Sequence, residues 1–388
     1  MPVDAMSRPA LTMLSEDEAM FRDAIRDFAQ GEVAPRARAM EEAGRYDEAL
    51  IPSLFQMGVM GIEIPESDGG AGGSFFQSIL AVEEISRADG AVGVLVDVQN
   101  TLFNNGLLRY GNDEQKRAFC RRVATDTVAA YALSEAGSGS DAFALATRAE
   151  KRGNTWVLNG RKLWITNAGE AGVFLVFANV DPAKGYKGIT AFLVDKNDPG
   201  FGLGKRESKL GIRASSTCEL VLDACTLPEN RVLGEVGKGY KIAIEILNEG
   251  RIGIGAQMLG IAGAALDSAK KYAQERVQFG KPISSFQAVQ HQLAYCATKL
   301  EAARLLVYNA ARLKDVGQSF LKEAAMAKLY ASEAAEFITS AALEIHGGYG
   351  YTTDYPVEKF YRDAKIGKIY EGTSFMQLST IAKAELGD

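Results

Sequence analysis

Gly137-Ser138-Gly139-Ser140-Asp141-Ala142 is the stretch on which the fold of this 388-residue chain turns. These six residues fit the Gly-x-Gly-x-x-Ala fingerprint with which a strand passes into a phosphate-binding helix. The strand is present, Val128 to Leu133. The helix is missing: the next patterned segment reads as another strand, and no acidic residue stands about 20 positions on to hold a ribose. The doubly wound reading therefore fails on context. The loop Ser134-Glu135-Ala136-Gly137-Ser138-Gly139-Ser140-Asp141 is still dense in small residues and exposed amides. It is either an ordinary Gly/Ser turn or a loop suited to a phosphate or a flavin edge.

Outward from that loop the periodicity changes twice. Upstream, residues 15 to about 125 read as helical. Ser15 and Glu18 make a capping-box pattern, with Phe21, Ala24, Ile25 and Phe28 on one face. A break at Asp68-Gly69-Gly70-Ala71-Gly72-Gly73 is followed by a helix from Ser74 through Arg87. From Val128 to about Leu233 the chain is strand-like, at Val128–Leu133, Thr155–Leu158, Val173–Val180, Gly188–Val194 and Glu219–Leu222. Asn159-Gly160, between Thr155–Leu158 and Lys162–Ile165, predicts a tight hairpin. From about Gly237 the helical period returns, broken at Gly280-Lys281-Pro282, Val316-Gly317 and Gly347-Gly348. The expected domains are a helical one over 1–127, a β one over 128–236 and a helical bundle over 237–388.

Composition narrows the chemistry. A net charge of −6 and a pI near 5.3 argue against nucleic acid or an anionic membrane as the main partner. No uninterrupted apolar run approaches the roughly 20 residues that cross a bilayer. Met1 to Leu14 lacks the apolar core of a secretory signal and is too poor in Arg and Ser for a transit peptide, so a cytoplasmic location is the expectation. The four cysteines, Cys120, Cys218, Cys225 and Cys296, have no Cys-x-x-Cys spacing and read as buried free thiols. Two histidines, His291 and His346, are too few for a His-rich metal site, so no metal is expected. The chemistry then falls to a carboxylate, the backbone or a borrowed cofactor.

The candidate carboxylate is in Ile369-Tyr370-Glu371-Gly372-Thr373-Ser374. The segment comes after a helical pattern of Val357, Phe360, Ala364 and Ile369, with Asp354 as a candidate cap and Pro356 in the first turn. A glutamate there either projects into a pocket or is solvated; Gly372 allows close backbone approach, and Thr373 and Ser374 add hydroxyls. Gly160-Arg161-Lys162-Leu163-Trp164-Ile165-Thr166-Asn167 puts an aromatic and a hydroxyl two apart, on one strand face. The pair either stacks on and bonds a flat heterocycle or is core. Arg276, in Gln274-Glu275-Arg276-Val277-Gln278-Phe279-Gly280-Lys281, either binds pyrophosphate or is a solvated helix-end charge. Glu344-Ile345-His346-Gly347-Gly348-Tyr349-Gly350-Tyr351 either brings amides to a phosphate or simply stops a helix.

In this order the segments resemble the acyl-CoA dehydrogenase family over nearly the whole chain. The resemblance is carried by Tyr131–Gly137, Trp164–Asn167, Arg276–Lys281 and Tyr355-Pro356-Val357-Glu358 through Arg362-Asp363 to Ser374. Leu247–Ile254, Gly185–Thr190 and Glu344 look most like the short/branched-chain subgroup. The resemblance implies a mainly α fold with a central β-barrel-like domain and a C-terminal four-helix bundle. It also implies FAD, partly held against a neighbouring subunit of a homotetramer, and electrons passed to electron-transferring flavoprotein. The pathways implied are fatty acid β-oxidation and branched-chain amino acid catabolism.

Carried over residue by residue, Tyr131, Leu133, Ser134, Gly139 and Ser140 would line the flavin with Trp164, Ile165 and Thr166, Thr166 at its N5 edge. Arg276, Phe279, Gln287 and Glu344 would hold the rest of FAD. Gly347, Gly348, Thr373, Ser374 and Phe375 complete that set. Ser140, Tyr186 and Tyr240 would contact the CoA thioester, joined by Asn248, Glu249, Gly250, Arg251 and Gly372. Glu371 would take the α-proton, with the β-hydrogen leaving as hydride to flavin N5 and trans-2-enoyl-CoA as product. Some relatives place the base at the position of Gly250, which here has no side chain. Glu249, about 100° round the helix, should point elsewhere. The alternatives are a flavin oxidase, a biosynthetic dehydrogenase on an unusual acyl thioester, and a non-catalytic acyl-CoA-binding paralogue.

Overall fold

The structure, a computed structural model, describes residues 10–387. Most of the segment read for a secretory signal therefore lies outside the described residues. Helices α1 Glu16–Phe28, α2 Ala34–Ala43, α3 Leu50–Gln56, α4 Phe75–Ala88, α5 Gly90–Asp97, α6 Asn105–Tyr110 and α7 Asp113–Thr125 form the N-terminal region. Ser15–Glu18, Ser74–Gln77 and Asn112–Gln115 are reciprocal capping boxes, each satisfying otherwise orphaned amides at a helix start. At the α4–α5 junction Asp89 is extended, and its carboxylate accepts from the amides of Ala91 and Val92. All eight residues of α5 are buried, so its one carboxylate, Asp97, is held inside the protein.

Strands β1 Ala129–Ala132, β2 Arg148–Arg152, β3 Thr155–Thr166, β4 Val173–Asn179, β5 Ile189–Asp195, β6 Phe201–Arg206, β7 Thr217–Pro228 and β8 Val232–Leu233 form one sheet. Its order is β6-β7-β3-β2-β4-β5-β8, with β1 parallel to β4. The hairpin expected at Asn159-Gly160 is a correction. β3 runs straight through that dipeptide, and the register against β7 slips between Leu158 and Gly160. Gly160 has φ +150°, and a β-carbon there would stand 2.7 Å from the Cα of Thr147, so the glycine serves a bulge pressed against a neighbouring segment. The tight turn is at Gly153-Asn154, where Arg152 of β2 faces Thr155 of β3.

The C-terminal region is built on α8 Gly239–Glu275, which leads into the short hairpin β9 Val277–Gln278 and β10 Lys281–Pro282. Then come α9 Gln287–Asp315, α10 Leu321–His346, α11 Val357–Ala364 and α12 Ser374–Leu386. By length and composition α8 could cross a membrane, but most of it is buried against α10, α4 and α9 as the core helix of the bundle. Helix α11 also corrects an expectation. Asp354 accepts from the Thr352 hydroxyl and caps nothing, Pro356 is the N-cap, and Ile369 lies beyond the helix and is half exposed. All four cysteines are buried free thiols.

Candidate active site

A cavity of about 430 Å³ opens where β1, β3 and the Ser134–Asp141 loop face α8 and the segment before α12. Of the residues singled out from sequence, Tyr131, Leu133, Ser134, Gly139 and Ser140 line it from the β side. Trp164, Ile165 and Thr166 lie alongside them, and Arg251, Glu371 and Gly372 line the helical side. Trp164 is not core: it is 54% exposed, while Trp156 is the buried tryptophan. It adopts φ +58° at a second register slip of β3, between Lys162 and Ile165, so Trp164 and Thr166 share the pocket through a bulge and not through plain strand alternation.

The loop beside them is pinned from below. Lys162 is fully buried, and its Nζ donates to the carbonyl of Leu133 (3.0 Å) and to Oε1 of Glu135 (2.7 Å). The Glu135 carboxylate also accepts from the amides of Ala146 (2.6 Å) and Thr147 (3.1 Å). Burial pulls the Lys162 ammonium down to about 8 against the pull of Glu135. Ser134, Gly139 and Ser140 thus rise from a fixed base.

Glu371 sits between two turns, at φ +52° and with Gly372 next to it at φ +90°. A non-glycine residue in the left-handed region is uncommon and is held there by its surroundings. Lys328 (2.6 Å) and Gln377 (2.9 Å) both donate to the Gly372 carbonyl. Oε2 of Glu371 is buried without a hydrogen-bond partner among the described residues. Burial pushes the Glu371 carboxyl up to about 7, against the opposing charges of Lys328 and Arg251. Behind it lies Asp97, raised well above the usual carboxylate range by burial and by the charge of Glu371. Gly250 and Gly253, one turn apart on α8, make room for the two acids, because a β-carbon at either would collide with Glu371 or Asp97.

The remaining singled-out residues lie elsewhere. Glu249 is a correction as a substrate contact. It is buried on another side of α8, where its carboxylate accepts from Asn105 (2.7 Å) and pairs with Arg109 (3.3 Å) and Lys314 (3.4 Å). Asn248 accepts from Arg251 (2.8 Å), and Gly250 meets the site only as bare backbone. Tyr240 packs on Tyr186 (5.0 Å) and on Phe143 of the pocket wall (6.5 Å), so an aromatic row runs from the cavity to the surface.

Arg276 lies over the ring of Tyr349, beyond Gly347 and Gly348, and Glu344 accepts from Gln292 (3.2 Å). Gln287 opens α9, and Phe279 is 93% exposed at the tip of the β9–β10 hairpin. None of these lines the cavity of this chain, and neither do Thr373, Ser374 or Phe375 at the start of α12. Asp97, Lys328, Tyr370 and Gln377 were missed. Asp97 had one legible signal, a lone carboxylate in the apolar run Ala91–Val98.

Several buried polar atoms around the cavity have no partner among the described residues, including Tyr131 Oη, Ser374 Oγ and Arg251 Nε. Such atoms are costly unless something bonds them. With a half-exposed indole and an open glycine loop beside them, they suit a flat, polar-edged ring system such as a flavin. Gly137, Gly139, Gly347 and Gly348 leave open space at their β-carbon positions, room for a ligand to approach the backbone. Among the described residues no group of three His, Cys, Asp or Glu side chains is placed to hold a metal.

Comparison with known proteins gives matches along almost the whole chain. The acyl-CoA dehydrogenase N-terminal domain matches residues 15–127, the middle domain 130–225 and the C-terminal domain 237–386. The mitochondrial short/branched chain specific acyl-CoA dehydrogenase of Rattus norvegicus is 53% identical over 380 residues, covering 98% of this chain and 88% of the relative. The solved butyryl-CoA dehydrogenase of Megasphaera elsdenii superposes with a TM-score of 0.95 at 42% identity, covering 96% of this chain and 99% of the other. An acyl-CoA dehydrogenase of Bacillus anthracis, solved in complex with FAD, has a TM-score of 0.90 at 33% identity, covering 96% and 67%.

Proposed function

The chain belongs to the acyl-CoA dehydrogenase family of FAD-dependent oxidoreductases, and from that premise we propose that it desaturates short or branched-chain acyl-CoA thioesters between the α and β carbons. Glu371 is the base. The observation that carries this reading is a buried carboxylate in the cavity wall with one oxygen unpartnered and its affinity for a proton raised close to neutrality. A base poised there takes a proton from a carbon next to a thioester carbonyl at physiological pH and holds it away from water. Bound FAD supplies the two-electron acceptor for the hydrogen that leaves the β-carbon.

The chain's own residues orient the reactants. Trp164 and Thr166 flank the ring, with Tyr131, Leu133 and the Ser134–Ser140 loop along its edge. Arg251 brings a cation to the side on which negative charge develops. Tyr240 and Tyr186 guide the pantetheine arm outward from Phe143. Arg276, Phe279, Gln287, Glu344 and the Gly347-Gly348 turn are assigned to the part of FAD shared between subunits, because they cluster away from the cavity of a single chain. Thr373, Ser374 and Phe375 belong to the same assignment. A homotetramer, electron-transferring flavoprotein as acceptor and domain junctions at 127/128 and 236/237 complete the proposal.

Glu371→Gln is the test. It keeps the size of the side chain but removes the proton acceptor, so FAD and acyl-CoA still bind while anaerobic bleaching of the flavin slows by about 10²–10⁴-fold. Near-normal single-turnover bleaching in this variant refutes the assignment.

A further inference from the structure

Lys328 is a lysine on the alanine-rich inner face of α10, with no exposed surface. A buried ammonium is expensive unless a carboxylate pairs with it or several acceptors surround it. Among the described residues Lys328 makes no ion pair. Its one hydrogen bond goes to a backbone oxygen, the Gly372 carbonyl at 2.6 Å. One turn further along α10, the Ser332 hydroxyl donates to the carbonyl of Gly367 (2.8 Å). Residues four apart share a helix face, so α10 grips the segment from Gly367 to Gly372 at both ends. Glu371 lies inside that grip, in a left-handed conformation that costs energy unless imposed.

We infer that Lys328 is a positioning residue for the catalytic base: it fixes the Glu371–Gly372 turn through the Gly372 carbonyl and places a positive charge beside the Glu371 carboxylate. It touches neither the cavity nor a reacting atom, and it acts through Glu371. The charged and titratable groups that face Glu371 come from every element around it. They are Lys328 on α10, Arg251 on α8, Asp97 on α5, Tyr131 on β1 and the adjoining Tyr370. Two are cations and one is an acid. The balance is asymmetric, because Asp97 and burial favour the protonated acid while Lys328 and Arg251 favour the carboxylate. Arg251 lines the cavity and is committed to its contents. Lys328 has no other charged partner, so its removal reads out on Glu371.

The inference rests on Glu371 being the base, and the experiment separates the two. Lys328→Met removes both the charge and the donor. Lys328→Gln keeps a neutral donor and serves where the Met variant does not fold. Gln377→Leu loosens the same carbonyl without touching a charge. In the holoenzyme, the carboxylic acid infrared band that disappears in Glu371→Gln identifies the proton on Glu371. In Lys328→Met or Lys328→Gln that band persists to higher pH, by roughly one pH unit. Flavin bleaching at pH 7 then falls about fivefold and recovers as pH rises, with KM little changed. Gln377→Leu slows the reaction equally at all pH values and leaves the band in place. An unshifted band, or a loss in the Lys328 variants that does not depend on pH, overturns the role of Lys328 and leaves an inactive Glu371→Gln intact.

Discussion

Gly250 and Glu371 occupy mutually exclusive space: a β-carbon on Gly250 would collide with Oε2 of Glu371, and it would also lie 2.7 Å from Cδ2 of Leu102. A glycine in the middle of a long helix costs about 1 kcal/mol relative to alanine. At this position the bare backbone of α8 lets the carboxylate reach the cavity. The same contact shows that a side chain on residue 250 would start beside the point where the Glu371 carboxylate ends.

Gly250→Ala is therefore expected to displace the Glu371 carboxylate, which is the flexible partner in the clash, with little effect on folding. kcat should fall far more than Tm. The exchange of the two residues, Glu371→Gly with Gly250→Glu, should regain part of the activity lost in Glu371→Gly alone. Single-turnover flavin reduction of the three variants checks both points, and a double variant no faster than Glu371→Gly refutes the shared-space argument.

The raised carboxyl of Glu371 also predicts a dependence of stability on pH. Its pKa is about 7 in the folded protein, against 4.5 for an ordinary glutamate. A group whose folded pKa is raised contributes stability that is fully present below the unfolded value and is lost as pH rises through the folded one. The loss begins near pH 4.5 and is complete above 7, and it amounts to a few kcal/mol. Glu371→Gln cannot ionise and escapes it. The variant should melt with the wild type near pH 4.5 and above it near pH 8, as differential scanning calorimetry of the two holoenzymes will show.

Much of this site was legible because its pieces are local in sequence. Glu371 announces itself within one hexapeptide, and Trp164 and Thr166 within one octapeptide. The order of helices, strands and helices came from periodicity alone. Asn159-Gly160 misled because a hairpin and a bulge use the same glycine, and only the approach of Thr147 decides between them. Lys328 was silent for a related reason. A lysine among alanines looks like any helical lysine until α10 is seen to pass beside Gly372. Arg276, Phe279 and the Gly347-Gly348 turn were legible as a set, but their distance from the cavity of one chain is long-range geometry that no local pattern in the sequence encodes.

Assembly gives its own prediction. Phe279 is 93% exposed, Tyr351 85% and Phe375 79%, all in the C-terminal region. Large aromatic side chains so exposed are the kind that a subunit interface buries. A homotetramer that covers them should weaken when Phe279 is replaced by Ser, and FAD should be lost with it if that hairpin reaches the cofactor of a neighbour. Light scattering and the flavin-to-protein absorbance ratio report the two effects. A stable monomer of the unaltered chain at micromolar concentration would contradict the assembly.

Substrate length is set by the contents the cavity must hold at once. Pockets of roughly 300–1,000 Å³ accommodate one drug-sized ligand. The cavity here, about 430 Å³, lies toward the lower end of that range, and under the proposed function it holds both a flat ring and an acyl thioester. Its apolar wall is made by Val98, Leu102, Ile244, Leu247 and Met376. Butyryl-CoA and 2-methylbutyryl-CoA should therefore show higher kcat/KM than dodecanoyl-CoA. Leu102→Ala and Met376→Ala should move the preference toward longer chains, since each methylene that fits or fails to fit an apolar pocket is worth roughly 10–200-fold. Anaerobic bleaching across a series of acyl-CoAs measures this directly, and a wild-type optimum at twelve carbons or more would show that the chain leaves the cavity by a route this wall does not block.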